Sequence, residues 1–532
     1  MSTLTPHAYM PGGERDLSLV GGMDGAARLS RETAFWSAAS QSADVAINRS
    51  KEGNDAKAMS LAANDGYIGG AVDVTKDSIV GSQYLLNARP NWRALGADET
   101  WAEEFQQVVE GRFQLAAESV ENWFDAARKL TFTAKIRLGV GLSVVTGEIV
   151  EQVVWRDVVG RPFRTCFQSI DPSRLCNPND ESDTATRRAG VDMDAHGEPQ
   201  RYWFRQAHRS DGALGDMGAY SWAPVPARLP WGRKQVIHVF DQVLPAQTRG
   251  VGAMVGVLKE MRMTQKFRDL QLQNAVVQSI YAAAIESELP PESIYEQLGG
   301  SQGTDGVQQY LAAMQGYYGE SNGIKLDGVR MPILFPNTKL KFQPAQDMRG
   351  LEGYEQSLLR HISARLGLSY EQFSRDYTQT NYSSARASML ETWKYMQGRK
   401  KIFADRLATE MYLLWLEEQI NRQEVPMPPG MTWRDFYVGL NREAFGRCTW
   451  IGASRGQIDE YKETQAAVLR LTSGLSTLEA ESARLGDDFR DIASQRARER
   501  ALYVGTYGMT YPGDQVLPAK PTAETDIESQ SK

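Results

Sequence analysis

With 532 residues, 42% of them hydrophobic and 23% charged, the chain reads as a globular protein long enough for several domains. A formal charge of −7 lacks the basic excess that carries tight nucleic-acid binding, so any contact with DNA is expected to be local or transient. Three widely spaced cysteines (Cys166, Cys176, Cys448) argue against a disulfide framework, and no apolar run approaches the roughly 20 residues that cross a bilayer.

Residues 1–26, punctuated by Gly and Pro and without the basic-then-apolar pattern of a signal peptide, are expected to form a flexible arm. Helical patterning follows to about residue 143. It is clearest over 99–117, where Trp101, Phe105, Val108, Val109, Phe113 and Ala116 recur at helical spacing. From Glu148 to Phe240 the pattern turns strand-like. GEIVEQVVWR, RPFRTCFQSI, QRYWFRQA and KQVIHVF are short β-prone runs between Asp, Pro, Asn and Gly clusters. The fold class that follows is α+β, mainly helical, with an inserted β-rich module.

Residues 252–286 return to a helical pattern, with glutamines and charges on every face. Such a helix needs neighbours to hold it. Over 286–330, seven acids (among them Glu286, Glu288, Glu292, Glu296 and Asp327) face two bases, a local net of −5 around a Pro-Pro and a Gly-rich stretch. This predicts a small irregular acidic subdomain. KLKFQ at 339–343 alternates as an exposed strand does.

A short helical segment, GYEQSLLRHISARLGLSYEQ, then runs into a polar and aromatic break, FSRDYTQTNYSSARAS. Beyond it Met389, Trp393, Met396, Phe403, Leu407, Met411 and Leu414 recur at helical intervals, with Lys400 in the one polar gap. A helix from about 384 to 421 would span on the order of 57 Å. Two helical stretches, 456–472 and 476–502, precede a tail over 506–532 whose composition predicts disorder.

Catalytic chemistry is hard to place. GASRG (452–456) matches a nucleophile elbow around Ser454, but the triad histidine of that motif follows its serine and the last histidine here is His361. The turn is therefore read as a helix entry with Ser454 as a candidate N-cap. No Gly-Lys pair exists, so there is no P-loop. Gly139 and Gly141 lack the third glycine of a dinucleotide fingerprint and are read as a helix end. The histidines and cysteines never cluster at metal-ligand spacing. No catalytic residue, metal or cofactor is expected, and the chain is not expected to be an enzyme.

Along most of its length the chain resembles the portal proteins of lambda-like tailed bacteriophages. The resemblance is carried by DSIVGSQYLLNARPNWRALG (77–96), KLTFTAKIRLGV (129–140), RLCNPND (174–180), QVIHVF with QTRG (235–250) and LQLQNAVVQSIYAAAIESEL (270–289). It continues through YEQSLLRHISARLGLSYEQFSRDY (354–377), YSSARAS (382–388), WLEEQI (415–420), WIGASRGQID (450–459) and GLSTLE (474–479), whereas 1–50 and the last thirty or so residues match poorly.

The resemblance implies an elongated, ring-forming subunit, usually dodecameric, at one vertex of the capsid. Double-stranded DNA would enter and leave through its channel. It implies partners: a terminase large subunit, a head-tail adaptor or completion protein, and the major capsid protein. The place would be the virion, and the host cytoplasm during assembly, with no membrane. The parts map as a wing (27–250), a stem helix (251–280), a clip (281–343), a second stem helix (344–373), a tunnel loop (374–386), a long helix with a return to the wing (387–455) and a crown (456–505). The acids of the clip would form a docking surface.

Within 375–401 six bases face two acids, a net of +4 inside an acidic chain. Arg375, Tyr377, Asn381, Tyr382, Ser383 and Arg386 are the candidates to line the channel. Lys394, Arg399, Lys400 and Lys401 are candidates for the channel or for contact with a neighbouring subunit. Trp393 and Trp415, at apolar helical positions, are read as packing residues, since duplex DNA offers no free base face. The competing readings are a non-viral DNA clamp and a structural adaptor or capsid subunit without a gate; the missing P-loop speaks against a self-powered motor.

Overall fold

The computed structural model describes residues 40–281, 323–326, 329–332, 351–378, 380–456 and 460–511. The N-terminal arm, the strand expected at 339–343, nearly all of the tail, and Glu286, Glu288, Glu292, Glu296 and Asp327 lie outside the described residues.

Helices α1 (Ala43–Asn64) and α2 (Gly66–Ile79) share one punctuation mark. The Asp65 N–H donates to Leu61 O and closes α1, while its carboxylate accepts from the N–H groups of Tyr67 and Ile68 and opens α2. Helix α3 (Glu99–Ala117) starts at an Asp98 cap and buries Trp101, Phe105, Val109 and Phe113, the stripe its spacing predicts. Helix α4 (Phe132–Val145) runs straight through Gly139 and Gly141, which are not its end. They are sites of close approach. A Cβ on Gly139 would lie 2.8 Å from the Leu407 side chain, and one on Gly141 would lie 2.6 Å from Lys76.

The β module holds two antiparallel sheets. Strand β2 (Glu148–Trp155) is central between β3 (Thr165–Ser169) and β8 (Val236–Phe240). The second sheet runs β4 (Arg187–Arg188), β5 (Val191–Met193), β6 (Pro199–Arg205) and β7 (Trp222–Pro226). Its apolar side joins β2 around Val150, Ile170, Leu175, Val191, Tyr202, Phe204 and Val236. An unforeseen ribbon pairs β1 (Leu85–Ala88) with a strand from the far end of the chain, Cys448–Ile451.

A 3-10 turn (Ala253–Val257) anchors α5 (Leu258–Tyr281) by burying Met254, Val257 and Met261, after which Leu270 and Leu272 are exposed. Residues Gly323–Leu326 (β9) and Val329–Pro332 (β10) form an antiparallel pair. Helices α6 (Leu351–Leu366), α7 (Tyr370–Ser374), α8 (Tyr382–Arg399) and α9 (Asp405–Asn421) follow, the last two joined by a π-helical turn, Lys400–Ala404. Helix α9 is the centre of the main core. Tyr412 and Trp415, fully buried, meet Phe113 edge-on at 5.7 and 5.2 Å, and Phe113 in turn meets Phe124, Phe132 and Trp450.

After the short helix α10 (Asn441–Phe445), three helices close the described chain: α11 (Glu460–Thr472), α12 (Leu478–Leu485) and α13 (Phe489–Arg500). The sequence pattern gives 476–502 as one stretch. It breaks because Gly486, at φ +93°, ends α12 and Asp488 caps α13.

Candidate nucleic-acid interface

The polar break between α7 and α8 is held at both ends by its own sequence. Ser369 and Gln372 form a capping box at the start of α7, and Asn381 and Ser384 form another at the start of α8. Arg375 ends α7 in the left-handed region at φ +60°. The Asp376 carboxylate accepts from both the N–H (3.0 Å) and the hydroxyl (2.6 Å) of Thr378, and these bonds lower its pKa. Behind the break, Phe373 is buried and stacks on Tyr67 of α2 at 5.9 Å, and Thr392 of α8 donates to Gln372 at 2.8 Å. The turn between α6 and α7 fits under α8 only because Gly367 has no side chain. At φ +70°, its Cβ would lie 2.2 Å from the Tyr395 ring. The break is thus an exposed tip on a fixed base.

The tip is shorter than expected. Arg375, Tyr377 and Asn381 lie in it and are exposed. Tyr382, Ser383 and Arg386, expected in a loop over 374–386, belong to the first two turns of α8, because the Asn381 cap starts the helix there. Ser383 is exposed and donates to Asn381 at 2.8 Å. Arg386 is exposed and borders a groove of ≈ 690 Å³ shared with the GASRG turn and with α11 and α12.

The helix bases divide. Lys394 and Lys401 are exposed, Lys401 with Asp405 at 3.9 Å. Arg399 pairs with Asp241 at 3.2 Å and lies over the Phe403 ring. Lys400 donates to Asp405 at 2.8 Å and to Trp450 O at 2.9 Å, with Tyr84 also donating to Asp405. Burial, and then the Asp405 charge, keep the Tyr84 pKa well above its ordinary value. The polar gap in the stripe is therefore an internal anchor at the π-helical turn, and Lys400 is spent on it.

Carboxylates spaced along α9 carry the anchorage onward. Glu410 takes Lys234 and Arg442, Glu417 takes Arg233, and Glu418 accepts the N–H groups of Arg164 (2.7 Å) and Thr165 (2.8 Å) as well as the Thr165 hydroxyl. The β module is so bolted to the long helix. A second bolt ties α1 to β2. Glu148, with no exposed surface, receives Arg249, Lys51 (3.3 Å), His238 (3.0 Å) and the Gly250 N–H (2.9 Å). Burial alone would raise its pKa, but Arg249 and Lys51 outweigh it and hold the group well below the usual carboxylate range. Burial pulls His238 down and pushes Asp55 up to about 6. Sequence reading notes QTRG only as part of a matching segment; its Arg249 is the key of this bolt.

GASRG has a packing reason. A Cβ on Gly452 would lie 2.7 Å from Ile79 O and 2.9 Å from the Tyr84 ring. The helix entry at 457–459, where Ser454 would act as a cap, lies outside the described residues. Trp415 is core, while Trp393 is half-buried at the groove edge. Among the described residues no group of three His, Cys, Asp or Glu side chains could hold a metal ion, and no helix is long and apolar enough to cross a membrane.

Comparison with known protein sequences points one way. A family model described as phage portal protein, lambda family, matches residues 29–400. The portal protein of Escherichia phage N15 is 41% identical over 468 residues, 87% of each chain. Portal protein B of Escherichia phage lambda is 40% identical over 468 residues, 87% of this chain and 86% of its own. Among solved structures, a chain from the virion of a native gene transfer agent particle aligns with a TM-score of 0.40 and 11% identity, over 82% of this chain and 93% of its own.

Proposed function

The chain belongs to the lambda family of phage portal proteins, structural components of the virion rather than enzymes, and on that premise we propose that it forms a ring, usually of twelve copies, through which double-stranded DNA is packaged and ejected. Terminase large subunit, head-tail adaptor and major capsid protein are its proposed partners, met first in the host cytoplasm and then at the capsid vertex. Residues 251–280 and 344–373 would be the stem, 281–343 the clip with its acidic docking surface, and 456–505 the crown.

One observation carries the channel reading: an exposed tip bearing Arg375, Tyr377 and Asn381, set on a capped and packed base at the head of a segment, 375–401, that nets +4 in an otherwise acidic chain. Twelve copies at −7 each carry −84. A conduit of that sign repels the duplex along most of its length and confines phosphate contacts to a few basic places, the tip among them, so that neutralised phosphates, and with them friction, stay few. Of the helix bases, Lys394 and Lys401 fit the channel or a neighbouring subunit. Arg399 and Lys400, spent inside the subunit, fit a framework role.

The test is a double substitution, Arg375→Ala with Tyr377→Ala, in assembling particles. Rings are expected to form normally while DNA packaging or retention falls. Rings that fail to assemble would make these two assembly residues and remove their role in the channel.

A further inference from the structure

The groove of ≈ 690 Å³ between α8 and the last helices carries a charge unlike the chain around it. Five bases line it: Arg386 from α8, Arg455 from the GASRG turn, Lys462 and Arg470 from α11, and Arg484 from α12. Two acids, Glu463 and Glu481, stand against them, a net of +3 among the described residues. Glu481 is already committed. Arg470 grips its carboxylate in a two-pronged bond (2.9 and 2.7 Å), and Arg484 donates to it at 2.7 Å. One acid beneath two guanidiniums fixes both side chains and leaves an excess of charge. Arg386 and Arg455, both exposed, make no hydrogen bond or ion pair among the described residues.

Free and pre-positioned guanidiniums gathered in a concave wall make a site for oxyanions. The planar fork matches phosphate oxygens, and a cleft of one sign focuses the field inside it. The bases come from four separate segments, a spread that suits an extended polyanion better than one small ion. Trp393 supplies an apolar edge.

We infer that this groove binds the phosphodiester backbone of duplex DNA, as a second contact beyond the tip at Arg375–Asn381, with Arg386 and Arg455 as its free ligands. The inference rests on the reading of the chain as a DNA channel. It also gives GASRG, which has no catalytic use here, a role: Gly452 seats the turn against Tyr84, and the turn presents Arg455.

Photo-crosslinking in DNA-filled heads separates the two readings. A photoreactive residue replaces Ser454, which is exposed in the groove, or, in a second preparation, Tyr377 at the tip. Both positions are expected to crosslink DNA. Arg386→Ala with Arg455→Ala should lower the yield at 454 about tenfold while leaving that at 377 unchanged, as the loss of charge-assisted phosphate bonds implies. Crosslinks at 377 alone overturn the groove and leave the channel standing. Crosslinks at neither position remove the channel reading, and the groove with it. A crosslink from 454 to a neighbouring copy makes the groove a subunit interface. Binding of inorganic phosphate to empty rings, lost in the double variant and without any DNA crosslink at 454, makes it a small-anion site. Either of these last two results also overturns the inference.

Discussion

Gly367→Ala tests how the tip is held. The substitution meets two penalties. A side chain at φ +70° costs about 1–2 kcal/mol for a left-handed residue. The new methyl would also begin 2.2 Å from the Tyr395 ring, so the ring or the α6–α7 turn must move. Tyr395 is 37% exposed and can swing outward, which places this part at the low end of overpacking, about 1–2 kcal/mol. The total is about 2–4 kcal/mol. Hydrogen exchange read over 366–396 is the suitable assay, because the strain is local and the ring itself need not unfold. Gly367→Ala should speed exchange there by one to three powers of ten, on about 1.4 kcal/mol per factor of ten. Adding Tyr395→Ala should recover about half of the loss, since only the backbone term remains. Unchanged protection in Gly367→Ala, or no recovery in the double variant, would refute the claim that this contact fixes the base of the tip.

Other consequences are open to measurement. Glu110 accepts from the Ala88 N–H and from Gln106 through one oxygen, and burial, only partly offset by those two bonds, lifts its pKa to about 7. A raised carboxylate favours the fold below its unfolded value and withdraws that stability as pH climbs toward 7. Glu110→Gln keeps an oxygen for both donors, so it should be neutral at pH 4 and stabilising by about 1–3 kcal/mol at pH 8 in denaturant titrations. Equal effects at both pH values would contradict this. Arg249→Met should cost about 3–5 kcal/mol at neutral pH by leaving Glu148 buried with less compensation. For the parent, the depressed Glu148 contributes stability above its unfolded pKa and loses it as pH falls through the folded value. The gap between parent and variant should therefore narrow in acid. A gap that widens on acidification would overturn the assignment of that charge.

The sequence made some of this legible because some signals are local. The α3 stripe, the β-prone runs and the helical pattern after the break are repeats that a single element must bury, and each forms where its spacing puts it. Contacts that close over long separations leave no such trace. Glu148 meets Arg249 about a hundred residues on, and β1 pairs with a strand more than 350 residues later. Gly139 and Gly141 misled for a related reason: their freedom serves close packing by Leu407 and Lys76, which local context cannot show. Lys400 reads in sequence as a channel base because its partners, Asp405 aside, come from elsewhere in the chain. Asn381 is the exception that was available. An Asn followed three residues later by Ser is a weak cap signal, yet it sets the first turn of α8 and shortens the tip.

The central claim is a ring whose pore is bordered by the tip at Arg375–Asn381. Electron microscopy of the purified full chain, with a gold label on a cysteine at Tyr377→Cys, tests both halves together. The expected result is a closed ring with a pore wide enough for a duplex and the label on its inner rim. Monomers, closed shells, or rings labelled on the outer edge would contradict it.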